Sequence, residues 1–229
     1  MRVEYEKGRN IKYLSHLDMV RAWERLLRRC DLKVKLTQGF NPHFCLSLGT
    51  VLPVGVWGKR EYLDVELAEQ VGEKELLDSL RKHAPLGIGI NKLRRIDDKA
   101  PSLMAVVNLS SYRIYSDIPK DRLEEEVQEL VESPTLVVKT NKGQKDIRPG
   151  IVSLKVEEEQ GLGTIVALVT AGQKGQVRIT DLIGVLLDKE KGKGRIVEVC
   201  REANYVQVDK ELLCPMEDRV VRCGKNHCN

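Results

Sequence analysis

The spacing of apolar residues switches between two periods in the same order twice along the chain. That order limits the fold more than any other feature. Residues 2–6 alternate as a strand does, and Gly8 with Asn10 marks a turn. Residues 11–14 read as a second extended piece. Ser15, followed three residues on by Asp18, is a capping-box-like helix start. Leu17, Val20, Trp23 or Leu27, and Cys30 then recur at helical spacing. Residues 32–36 alternate, 37–43 are a loop rich in Gly, Asn and Pro, and 44–52 are an apolar run closed by Pro53. Residues 61–67 alternate, 73–83 are amphipathic around Leu76, Leu77 and Leu80, and 86–96 close with a strand.

The second half repeats the sequence of elements. A strand is predicted over 110–117, and a helix with Pro119 at its start runs to Glu132. Strands follow at 135–140, 150–157 and 164–170, then a helix at 179–188 and a strand at 195–200. Strand, helix, strand, strand, helix, strand is the split βαβ or ferredoxin-like order. The expected class is therefore α+β, with two tandem ferredoxin-like units and antiparallel sheets. The units are placed at residues 1–98 and 108–208, and a polar, Cys-containing tail at 209–229 is expected to be loosely held.

Aromatic residues are scarce at 4%, so Leu, Val and Ile must build the core. The chain has no run of about 18 apolar residues, and its start, MRVEYEKGRN, lacks an apolar stretch of signal-peptide type. A cytoplasmic protein without membrane association is expected. Charge is unevenly spread. Residues 1–60 hold twelve Lys/Arg against five Asp/Glu, whereas residues 101–229 hold nineteen against twenty. A basic front points to an anionic partner, nucleic acid first.

Three groups of residues carry candidate chemistry. Arg21, Arg25, Arg28 and Arg29 share a helix face, with Lys12 just ahead of it. Guanidinium groups one turn apart match a phosphate backbone, each through bidentate hydrogen bonds. The rival reading is a solvated face with Glu24 as local ion-pair partner. The second group is Ser15, His16 and Asp18 with Gln38, Gly39, Phe40, Asn41 and His43, polar residues crowded into two connections. They suit contact with a ligand or partner, and His16 and His43 are the candidates for general acid–base work on a ribose hydroxyl. The rival reading is a helix cap and a turn. The third group is Cys214, Cys223, His227 and Cys228, a candidate zinc set without paired C-x₂-C spacing. Its rival is a tail with reactive thiols. Cys30, Cys45 and Cys200 read as small buried hydrophobes. The sequence has no P-loop, no Rossmann glycine fingerprint, no H-E-x-x-H and no C-x₃-C-x₂-C run, so no cofactor is expected.

The stretch Lys12-Tyr13-Leu14-Ser15-His16-Leu17-Asp18 with Arg21, Leu27-Arg28-Arg29 and Gln38-Gly39-Phe40-Asn41-Pro42-His43, together with Leu52-Pro53-Val54-Gly55 and Glu61-Tyr62-Leu63-Asp64-Val65, resembles the radical SAM-associated protein family of unknown function. Asp146-Ile147-Arg148-Pro149 agrees in general character. The resemblance implies a partner, a radical SAM protein encoded nearby or fused in other members, and implies no activity. A second, architectural likeness is to the RAMP-type CRISPR endoribonucleases, which pair two ferredoxin-like units and in some cases cut RNA with a histidine and no metal; it is analogy. The expectation is a binding subunit that presents RNA, or a ribonucleoprotein such as a ribosome-related particle, to a radical SAM partner. The alternatives are a metal-independent endoribonuclease and a protein–protein adaptor.

Overall fold

The computed structural model describes residues 1–141, 143–159, 161–172, 175–190 and 195–221. The chain divides into two compact units, residues 1–107 with 204–229, and residues 108–203. Both mix helices with antiparallel strands.

The first unit runs β1 (Arg2–Lys7), α1 (His16–Arg29), β2 (Leu46–Leu48), β3 (Trp57–Val65), α2 (Glu73–His83) and β4 (Ile88–Arg94). Its sheet order is β4-β1-β3-β2, antiparallel at every step. Strand parity explains what packs where. Val3 and Tyr5, Leu63 and Val65, and Ile88 and Ile90 meet Met19, Ala22, Trp23, Leu26 and Leu27 of α1 and Leu76 and Leu80 of α2 in one core. The Tyr5 and Trp23 rings stand 5.1 Å apart at 76°, the edge-to-face geometry that aromatic quadrupoles favour. The buried stripe of α1 is thus 19, 22, 23, 26 and 27, not the expected set that began at Leu17. Spacings of three, four, seven and eight residues make the wider apolar face, and Leu17 is left 65% exposed on the opposite side.

The other face of this sheet carries paired polar residues. Arg2 lies opposite Asp64, and Glu4 opposite Tyr62. Leu103 of α3 (Leu103–Val106) and Met216, which lies between β11 (Glu211–Leu213) and α6 (Asp218–Val221), pack on its Tyr62. The described part of the expected tail therefore belongs to the first unit. Leu213, Met216, Val220 and Val221 are all buried, an apolar set scattered among charges that gave no periodic signal. Two further differences are local. A 3₁₀ turn over 9–11 runs on as a turn through 12 and 13, where residues 11–14 were expected to be extended. Residues 32–36 make only the isolated bridges Val34–Leu67 and Leu36–Phe44, because the segment changes partner after a single pair.

The second unit runs β5 (Leu109–Ser116), α4 (Lys120–Glu132), β6 (Val137–Thr140), β7 (Gly143–Asp146), β8 (Ile151–Glu159), β9 (Leu162–Thr170), α5 (Ile179–Glu190) and β10 (Ile196–Val208), whose residues from Asn204 on belong to the first unit. Strands β5, β9 and β8 are antiparallel neighbours, and β10 follows on the far side of β5. The expected strand at 135–140 instead pairs with 143–146 as a separate two-stranded ribbon. Ile114, Leu123, Leu130, Ile165, Ala167 and Leu182 are buried. Gly163 is required where β9 passes residue 118, since a Cβ there would lie 2.3 Å from the Ile118 carbonyl oxygen.

Candidate nucleic-acid interface

The connection from β1 into α1 is held from the inside. Lys7 ends β1 at the same parity as Val3 and Tyr5, so its side chain turns inward and is 2% exposed. Its Nζ donates to the carbonyl oxygens of Lys12 at 3.1 Å and Leu14 at 2.8 Å. The Gly55 amide donates to the same Lys12 oxygen at 2.9 Å. Ser15 then caps the helix. Its Oγ accepts from the Asp18 amide at 3.2 Å, and Asp18 Oδ2 accepts from the Ser15 amide at 3.2 Å and from its hydroxyl at 2.6 Å. Those hydrogen bonds hold the Asp18 carboxyl below its usual pKa. With residues 12–14 fixed by backbone bonds, the Tyr13 ring is left outside, 72% exposed, with Lys12 Nζ 5.5 Å from its centroid. Ser15 and His16 line a cavity of about 10 Å³ with Lys7, Thr50, Glu61 and Tyr62, which is room for about one water.

Along α1 the polar face is a cationic row. Arg21, Arg25, Arg28 and Arg29 are all exposed. Arg21 pairs with Asp18 and Arg28 with Glu24, both at 3.7 Å. Exposed pairs of that length hold little energy, so both cations stay accessible to a stronger anion. The Arg28 guanidinium also lies 4.7 Å over the Phe44 ring. Among the described residues the Arg25 and Arg29 side chains make no ion pair or hydrogen bond.

The Gln38-Gly39-Phe40-Asn41-Pro42-His43 loop is exposed throughout. It is closed at its base, where the Thr37 amide donates to the His43 oxygen at 2.8 Å and the His43 amide donates to Thr37 Oγ1 at 3.0 Å. Gly39 at φ +138° makes the reversal, a conformation that residues with a Cβ avoid. Phe44, beneath Arg28, ties His43 to the C-terminal end of α1, whereas His16 begins the helix. Twelve residues of helix separate those ends by about 18 Å. Among the described residues no hydrogen bond joins the two histidines.

Cys214 stands in a buried polar cluster on the other sheet face. Its thiol is 3.3 Å from the Tyr62 hydroxyl, which donates to Glu4 Oε2 at 2.8 Å. Burial, first, raises the Tyr62 pKa far above its usual value. Cys223, His227 and Cys228 lie outside the described residues. Among the described residues no group of three or more His, Cys, Asp or Glu side chains stands close enough to hold a metal ion.

Sequence reasoning missed Lys7, Glu61 and Trp57. Lys7 and Glu61 are charged residues at the inward parity of β1 and β3, 2% and 3% exposed. A charge at an apolar parity position was the available signal. Trp57 is flanked by Arg9 at 4.7 Å and Lys59 at 5.7 Å from its ring, cation–π contacts that only tertiary structure reveals.

An antiparallel α+β framework that presents a basic helix face beside an exposed loop defines the class of this protein. The chain belongs to the family described as an uncharacterized protein conserved in bacteria (DUF2344), whose model matches residues 1–179. No curated protein matches it. Among solved structures it is similar to a chain of an H/ACA ribonucleoprotein bound to a substrate RNA containing 2′-deoxyuridine, at 12% identity and a TM-score of 0.48, over 89% of this chain and 47% of that one. A chain of the archaeal box H/ACA Nop10–Cbf5 complex is similar at 12% identity and a TM-score of 0.45, over 87% of this chain and 46% of that one. The chain thus spans about half the length of either. Among the described residues no helix is long and apolar enough to cross a membrane.

Proposed function

We propose that the protein is an RNA-binding subunit built of two ferredoxin-like (split βαβ) units, and that the exposed face of α1 is its RNA contact. The observation that carries this reading is the row Arg21, Arg25, Arg28 and Arg29, in which two cations have acidic partners at 3.7 Å and two have none among the described residues. The resemblance of residues 12–65 to the radical SAM-associated family supplies the second half of the proposal. The RNA, or a ribonucleoprotein, is presented to a radical SAM partner in the cytoplasm. The nuclease alternative rests on His16 or His43 as its general acid–base group.

The test is binding of fluorescent bulk cellular RNA across a salt series. Each phosphate contact on a single strand contributes a slope of about 0.7 in log K against log salt, so Arg21→Ala/Arg25→Ala/Arg28→Ala is expected to flatten the slope by about 2. Absence of wild-type binding at low salt refutes the reading and leaves the adaptor alternative, which predicts a complex with the radical SAM protein that ignores both nuclease and the arginines.

A further inference from the structure

We infer that the ligand of the α1 face is unpaired RNA, held by base stacking on two exposed rings at opposite ends of the arginine row. The inference rests on the RNA reading above and narrows it to a substrate class.

Tyr13 stands just before the N-terminus of α1, and Phe40 rises from the loop tied through Phe44 to the Arg28 end. Tyr13 is 72% exposed and Phe40 is exposed over its whole surface. Neither ring is loose on a mobile chain end. Residues 12–14 are fixed by Lys7 and Gly55, and the Phe40 loop is closed by the two Thr37–His43 bonds. Leu17, 65% exposed, extends the apolar surface from Tyr13 onto the first turn of the helix. Core formation explains none of these side chains, because the core of this unit is complete without them. Large apolar groups that are held out in water on rigid supports mark an interaction surface.

The company of these rings selects the partner. Lys12 lies by Tyr13, four arginines line the exposed face of α1, and Phe44, at the base of the Phe40 loop, lies under Arg28. A cationic track with flat rings along it is the arrangement that binds single strands, where phosphates follow the charges and unstacked bases lie on the rings. A double helix offers no such bases, since its own are paired and stacked, and its recognition runs through backbone and groove shape. An apolar protein partner would meet four guanidinium groups that it could not desolvate cheaply.

The test compares a short fluorescent oligoribonucleotide without self-pairing and the same strand annealed to its complement. The proteins are wild type, Tyr13→Ala, Phe40→Ala, Tyr13→Phe and the triple arginine variant, each checked for fold by circular dichroism. The single strand is expected to bind at least tenfold more tightly than the duplex. Tyr13→Ala and Phe40→Ala are each expected to weaken single-strand binding about fivefold or more. Their salt slope should stay unchanged, because a ring displaces no counterion, and Tyr13→Phe should retain wild-type affinity. Equal affinity for the two forms, with both alanine variants at wild-type strength and the arginine variant still impaired, overturns stacking and leaves RNA binding by charge intact. Failure of the wild type to bind either form at low salt overturns both. Capture of a protein partner that competes with neither RNA nor the arginine changes, in a chain that binds no RNA, likewise overturns them.

Discussion

Replacing Arg2 by methionine tests how the sheet of the first unit is joined to the segments that cover it. The guanidinium is fully buried. Its Nε and Nη2 donate to the two Asp64 oxygens at 2.8 and 2.9 Å, Nη1 donates to the Pro215 carbonyl at 2.8 Å, and Nη2 donates to the Pro101 carbonyl at 3.0 Å. One side chain therefore ties β3 and both covering segments to the first strand. Removing one partner of a buried ion pair costs about 3–5 kcal/mol, since the remaining charge and acceptors keep their desolvation penalty. The Asp64 side chain is 20% exposed and regains some hydration, so about 3 kcal/mol is expected. Both tryptophans, Trp23 and Trp57, lie in the first unit, and their fluorescence therefore reports its unfolding separately from the second unit. With a urea slope near 2 kcal/mol per M, the midpoint should fall by about 1.5 M. Arg2→Lys should lose much of the same, because an ammonium cannot form the planar fork. Arg2→Met/Asp64→Leu should recover most of the loss, having removed the stranded charge. An Arg2→Met midpoint within about 0.5 M of wild type at that slope refutes the reasoning.

Two further outcomes are expected. Ser15→Ala removes the helix cap and should lower the stability of the first unit by about 1 kcal/mol. The accompanying pH effect has a definite sign. Asp18 has a folded pKa held below its unfolded value, first by the Ser15 hydroxyl hydrogen bond. Its contribution is thus present above the unfolded pKa and is lost as pH falls through the folded one. The difference between wild type and variant should narrow in acid below about pH 4, and a difference constant from neutral pH to pH 2 contradicts it. Lys7→Met removes the ammonium donor from the Leu14 carbonyl and one of two donors from the Lys12 carbonyl, which keeps the Gly55 amide, a local cost of about 1–3 kcal/mol. Limited trypsin digestion should then cut after Lys12 faster, and unchanged cleavage shows that the ammonium does not hold the turn.

Much of the framework was legible because its signals are local. The Ser15–Asp18 cap, the helices over 73–83 and 120–132, and the alternating segments of both units each follow from a few neighbouring residues. What escaped depends on distant contacts. Residues 32–36 alternate perfectly yet form no strand, since alternation records a half-buried surface and not the length of a partner. Residues 211–221 look like a polar tail because Leu213, Met216, Val220 and Val221 are separated by charges. Arg2 and the polar face of the sheet give them their burial. At the candidate site the arginine row was visible as spacing. Phe40 was visible as part of the Gly-Asn-Pro loop, whereas nothing in the sequence placed Tyr13 outside the core, because an aromatic residue in a short apolar segment normally packs inward.

The composition of α1 argues against a face kept merely for solubility. A solvated helix gains from acids and bases interleaved three and four residues apart. Here two acids, Asp18 and Glu24, stand among four arginines. Arg21 with Arg25, Arg25 with Arg28, and Arg25 with Arg29 are like-charge neighbours, each unfavourable by about 0.2–0.5 kcal/mol. The helix dipole offsets part of this at Arg28 and Arg29, which occupy the last turn, but it does not reach Arg21 or Arg25. The apolar stripe from Met19 to Leu27 already secures the helix, so neither packing nor solubility calls for arginine at 21 and 25. Exposed Leu17 and Tyr13 by the start of α1, and Phe40 on the loop whose base Phe44 meets Arg28, add apolar surface that also works against solubility. Each feature is unfavourable in the isolated protein, and each becomes favourable against the same kind of ligand, a flexible polyanion with flat bases. That shared dependence is the strongest physical reason to read the face as a binding surface.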